Sequence, residues 1–81
     1  MRLYEIEKER EKIFEKYKAV LKCFFLKCML TDSLQRALSA YRNYETFAYI
    51  SHMYGIDVYN ETYDNYMNEM QTHIEELAQK E

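Results

Sequence analysis

Apolar residues recur at helical intervals along the first third of the chain. Leu3, Ile6, Ile13, Tyr17, Val20 and Phe24 follow alternating steps of three and four, interrupted only by Arg10. Phe14, Leu21 and Cys28 lie one position beyond alternate members of that series and widen the seam into the broad stripe of a bundle helix. The pattern predicts a first helix from about Leu3 to Met29. The other face of its first half is dense in charge, with Glu5, Glu7, Lys8, Glu9, Glu11, Lys12, Glu15 and Lys16. Opposite charges there are mostly three apart, whereas Glu5/Glu9, Glu7/Glu11, Lys8/Lys12 and Lys12/Lys16 are like pairs four apart, so pair stabilisation nearly cancels. That is the pattern of a solvated face.

Thr31-Asp32-Ser33 interrupts the periodicity, and Asp32 with Gln35 resembles a capping box that starts a second helix at Ser33. This helix is expected to run to Tyr54. There Gly55 can take the left-handed conformation that ends a helix, with Ile56 supplying the apolar contact beyond it. Asp57 is placed to cap a third helix from about Val58 to Lys80, which carries Tyr59, Tyr63, Tyr66, Met67, Met70, Ile74 and Leu77 on one stripe. No internal repeat or linker divides the chain. The expected fold is therefore all-α: one domain over residues 1–81, an antiparallel three-helix bundle with helices at about 3–29, 33–54 and 58–80, open to completion by dimerisation. At 1.5 Å per residue the first helix reaches roughly 40 Å and the others roughly 33 to 35 Å. About a turn and a half of the first helix, bearing Leu3 and Ile6, is expected to overhang.

Composition supports this reading. With no proline and one glycine, almost nothing interrupts helix propagation. An apolar share of 48% against 31% charged residues lies outside the signature of disorder, and 81 residues leave only a thin core. The longest apolar stretch, Ala19 to Leu30, is broken by Lys22 and Lys27 and is shorter than the ~20 residues of a bilayer span. The charged opening Met1-Arg2-Leu3-Tyr4-Glu5-Ile6-Glu7 lacks the apolar region of a secretory signal. These features predict a cytoplasmic protein with no membrane span.

Candidate chemistry narrows the function more than it supplies one. Cys23 and Cys28 lie five apart on one helix, roughly 140° apart in direction, and cannot bridge within it. They are read as buried or half-buried thiols. With His52 and His73 they match no compact zinc spacing, and the single Glu69/His73 pair lacks the second copy that a di-metal carboxylate site needs. One glycine cannot form a phosphate-cradling loop. Neither Cys23 nor Ser51 has a feature that would activate it as a nucleophile. No metal, cofactor or catalytic residue is assigned, and a non-enzymatic protein is expected. Residues 47–57 have the outline of a helix-turn-helix, but Glu61 and Asp64 would occupy the buried positions of its second helix. That helix has no Lys or Arg before Lys80. Direct DNA binding is disfavoured.

Two anomalies remain. Net charge is −3, yet residues 1–30 carry eight basic and five acidic groups while residues 57–81 carry one basic and seven acidic. Seven of the nine tyrosines fall between Tyr41 and Tyr66. The second helix is apolar nearly all round, so that it must be covered on more than one face. Tyrosine combines a large ring with a water-tolerant hydroxyl and is enriched at interface hot spots. The expectation is a small interaction module, self-associating as a homodimer and binding a protein partner through the Tyr-rich second helix and the acidic third. Tyr44, Tyr49, Tyr54, Tyr59, Glu61, Asp64 and Glu69 are the candidate contact residues. The competing reading is a phage- or plasmid-type inhibitor whose acidic third helix occupies the basic cleft of a host nucleic-acid-handling or defence enzyme.

Overall fold

The computed structural model describes residues 2–80, which form helices α1 (Leu3–Met29), α2 (Leu34–Met53) and α3 (Glu61–Gln79). They make the expected up-down-up bundle. Phe25 stacks on Tyr66 and the Thr31 carbonyl meets His73, so α1 and α3 pack on each other in the same direction, with α2 antiparallel to both.

Local chemistry sets the boundaries. At the first connection Ser33, rather than Asp32, caps α2: its Oγ accepts from the Arg36 amide at 3.3 Å, and the helix begins one residue later than expected. The Ser33 amide is itself tied to Thr31 Oγ1, which curls the chain one residue further before the helix starts. At the end of α2, Gly55 has φ +84°. Its amide donates to the His52 carbonyl and that of Ile56 to the Ser51 carbonyl, the bonding pattern of a Schellman cap.

The third helix departs furthest from expectation. It starts at Glu61 and is capped not by Asp57 but by Asn60, whose Oδ1 accepts from the Tyr63 amide at 3.0 Å. Residues 56–59 are non-helical because they serve the core: Ile56 and Val58 turn inward while Asp57 and Tyr59 face out. Burial of the β-branched Val58 outweighs the capping preference of Asp57.

The core is narrow. On α2 the buried stripe is Ala37, Ala40, Tyr44, Ala48 and Ser51, small residues around one large ring, which lets α1 approach closely over most of its packed length. Ser51 satisfies its buried hydroxyl by donating to the Phe47 carbonyl at 2.8 Å. The centre of the α1 stripe is Leu21, Phe25 and Cys28, with Tyr17, Val20 and Phe24 half-buried beside it, so the expected seam is rotated toward its wider flank. Met70 and Leu77 are the buried contribution of α3.

Arg2–Ile13 is exposed throughout, which makes the overhang about three turns rather than one and a half, roughly 16 Å. The molecule measures 56 × 17 × 16 Å, with a radius of gyration of 15.1 Å against the ~12 Å of a compact chain this long.

Gly55 tests the α2 terminus. A Cβ there would meet no atom within 4 Å, so only the left-handed backbone opposes a side chain. Gly55→Ala is expected to cost about 1 to 2 kcal/mol in urea unfolding, and Gly55→Asn distinctly less.

Candidate functional site

The tyrosines divide between interior and surface. Tyr44, 1% exposed, is the largest fully buried side chain; it stacks on Tyr63 at 5.4 Å between centroids, and Phe25 stacks on Tyr66 at 4.0 Å. Tyr17 stacks on Phe47 at 5.3 Å, and Tyr41 accepts a hydrogen bond from Gln71 at 2.9 Å. Tyr44 therefore leaves the set of candidate contacts. The helical spacing that puts it on the buried stripe with Ala37, Ala40, Ala48 and Ser51 was present in the sequence, hidden by the many apolar neighbours on α2.

From Tyr44 a ladder of rings climbs to the surface. Tyr63 meets Tyr59 edge to face at 4.9 Å, and Tyr59 in turn lies 5.0 Å from the His52 ring. Such pairs are worth about 0.5 to 1.5 kcal/mol beyond burial, so Tyr59 is held in place while remaining 44% exposed. Tyr49 and Tyr59 line one open cleft of about 410 Å³ with Arg42, Glu45, Thr46 and Tyr63. Tyr54 caps α2 and is 78% exposed.

Glu61 and Asp64 are exposed in the first turn of α3, close in sequence to Tyr59, where they also favour the helix dipole. Glu69 stands apart. It lies two turns further along, in a separate cleft with Met29, His73 and Glu76. The structure thus brings Tyr49 and Tyr59 together, sets Glu61 and Asp64 at the start of the adjoining helix, and leaves Tyr54 and Glu69 at separate positions. The ion pairs among the described residues are Lys12–Glu9 at 3.5 Å and Lys18–Glu15 at 3.8 Å, both within α1, so the carboxylates of α3 stand without cationic partners.

A second surface escaped the reading of α1. Ala19, Cys23, Leu26 and Leu30 line an open groove of about 1050 Å³ with Ser39, Ala40 and Asn43, edged by Lys22, Lys27 and Arg36. The steps of four, three and four between the first four residues are a helical stripe of their own, masked because all the residues from Ala19 to Leu30 except Lys22 and Lys27 are apolar.

Among the described residues no three His, Cys, Asp or Glu side chains converge on a point where a metal could bind. Cys23 is exposed and Cys28 buried, whereas both were expected to be at least half covered. His73 is half-buried, with Nε2 at 2.9 Å from the Thr31 carbonyl, a contact that ties α3 to the first connection. The connection Tyr54–Asn60 is longer than the three- or four-residue turn of a helix-turn-helix. Among the described residues no helix is long and apolar enough to cross a membrane. Comparison of the chain with family models, curated proteins and solved structures finds no match to any of them.

Two chemical outcomes follow. Burial, reinforced by neighbouring phenols and by Asp64, raises the pKa of Tyr44 far above its ordinary value; burial, with Tyr59, Glu45 and Tyr41 nearby, pushes Tyr63 up to about 12. The unfolded chain releases these protons near pH 10, so their contribution to stability is intact below that pH and is lost as pH rises toward 12. Urea midpoints are expected to fall steeply across that interval, and tyrosinate absorbance to reveal a late-ionising pair that appears with loss of helical circular dichroism. Burial also raises the pKa of the Cys28 thiol. A disulfide reagent is therefore expected to modify Cys23 in the folded protein and Cys28 only after denaturation.

Proposed function

We propose that this chain is a small non-enzymatic protein–protein interaction module that self-associates and uses its α2–α3 side to bind a protein partner. The observation that carries this reading is the aromatic surface left after the core is filled: Tyr44, Tyr63 and Tyr66 are taken inside or half-covered, yet Tyr49, Tyr54 and Tyr59 remain open. Tyr59 is braced from below by Tyr63, which reduces the entropy lost when it is gripped. Glu45 lines the Tyr49–Tyr59 cleft together with Arg42, and Asp57, Glu61 and Asp64 are exposed close to Tyr59 in sequence, so acidic groups outnumber the one basic group there. A partner that fits this chemistry has an apolar pocket for one or two rings with a basic edge.

The test uses Tyr49→Ala with Tyr59→Ala, two exposed positions whose loss leaves the buried rings in place. A partner captured from the native host by the wild-type chain is expected to bind the double variant at least tenfold more weakly, with circular dichroism unchanged. Equal capture of that partner by the folded double variant would contradict the assignment. Raising salt from 50 to 500 mM is expected to weaken wild-type binding through the acidic edge.

A second reading rests on the uncompensated charge of α3. No Lys or Arg lies between Glu61 and Gln79, and its carboxylates have no cationic partner among the described residues. This suits an inhibitor that enters the basic channel of a host nucleic-acid-handling or defence enzyme. In a nuclease-inhibition assay, loss of inhibition on converting Glu61, Asp64 and Glu69 to alanine supports it; full inhibition by that triple variant contradicts it.

A further inference from the structure

We infer that a second copy of this chain covers the projecting start of α1, the two arms lying antiparallel so that each ends against the last turns of the other copy's α2. The inference rests on the self-association part of the functional reading; it assigns Tyr54 to the second copy and leaves the surface around Tyr49 and Tyr59 for the partner.

The arm is the exposed first three turns of the 27-residue α1, propagated from the packed part of that helix and gaining little from burial of its own. Arg2 makes no side-chain cap, and the like pairs Glu5/Glu9, Glu7/Glu11 and Lys8/Lys12 offset the opposite-charge pairs three apart, Lys12–Glu9 among them, so the charges add little net support. What it does carry is an apolar seam. Leu3, Ile6 and Ile13 continue the heptad series of Tyr17 and Phe24, the face that packs on Phe47 of α2 within the bundle. Beyond the end of α2 at Met53 that face has no cover among the described residues.

A second arm fits the vacant line in three respects. Both arms have the same ~16 Å length, so an antiparallel register pairing Leu3 with Ile13 and Ile6 with Arg10 aligns them over the whole exposed segment. Each arm then brings the start of α1 to the end of the other α2, where helix dipoles of opposite sign meet and Ile50, Met53 and Tyr54 lie open. The area available is of the right order. Leu3, Ile6, Ile13, Ile50, Met53 and Tyr54 are between 42% and 78% exposed, at most on the order of 700 Å² if fully covered at roughly 200 Å² per large side chain, against the ~800 Å² per partner of a standard interface. Arg2–Ile13 holds four basic and four acidic groups and is neutral as a whole, but this register sets Glu5 opposite Glu11 and Glu7 opposite Glu9 of the second copy, a like-charge cost that the apolar seam must outweigh.

Arg10 is the single polar member of the seam. At such a position a polar side chain fixes register at a cost in affinity.

Sedimentation equilibrium of the full chain at tens of micromolar is expected to give twice the 10.0 kDa chain mass. Ile6→Glu with Ile13→Glu should reduce it to one chain while the thermal transition stays cooperative. Arg10→Leu should keep the two-chain mass and lower the dimer dissociation constant at least tenfold. A wild-type mass of one chain would overturn both this inference and self-association itself. A dimer whose constant is unmoved by Ile6→Glu and Ile13→Glu, or weakened by Arg10→Leu, would overturn the arm interface and leave self-association through another surface standing.

Discussion

A first helix of 27 residues runs beside helices of 20 and 19 residues, and this mismatch shapes the rest of the molecule. The chain from Ile56 to Tyr59 is non-helical and inserts Val58 into the core, which shortens α3, and the start of α1 has no neighbour among the described residues. A small chain has little apolar surface to cover its own ends. The elongated shape and the bare arm both follow from how that limited cover is distributed.

Within the packed region, closeness rather than bulk holds the helices together. Ala37, Ala40, Ala48 and Ser51 bring α2 near α1, and Tyr44 fills the space that remains. The same economy explains the surface. Because α2 uses its small residues for the core, larger ones such as Leu38, Tyr49, Ile50 and Met53 stay outside. Tyr63 joins the two populations, half-buried against Tyr44 on one side and bracing Tyr59 on the other. Core rigidity is thereby extended to a ring that stands in solvent.

Much of the fold was legible in the sequence. Helical periodicity identified three helices, and the single glycine marked the end of α2, because φ +84° is a conformation few other residues adopt. The start of α3 was not legible. Asp57 and Asn60 are both good caps, and the choice between them is made by tertiary burial of Ile56 and Val58, which no local pattern records. The surface was legible in part. An excess of tyrosine was plain, but its division depended on which arc of α2 faces inward, and a helix apolar nearly all round gives periodicity little to separate. The stripe Ala19, Cys23, Leu26 and Leu30 was obscured for the same reason on α1.

On α2 the interior positions are filled by small residues and one ring, while larger apolar groups are displayed on the start of α1 and along α2, and the proposed binding role rests on that display. Small-angle scattering of the unmodified protein tests the proposed pairing most directly, because the inferred arm interface would place two bundles end to end. Two 56 Å rods overlapping by one ~16 Å arm give a particle roughly 95 Å long, the maximum dimension predicted here. A maximum dimension near that of one 56 Å rod would contradict it, whether it came from a monomer or from two chains lying side by side.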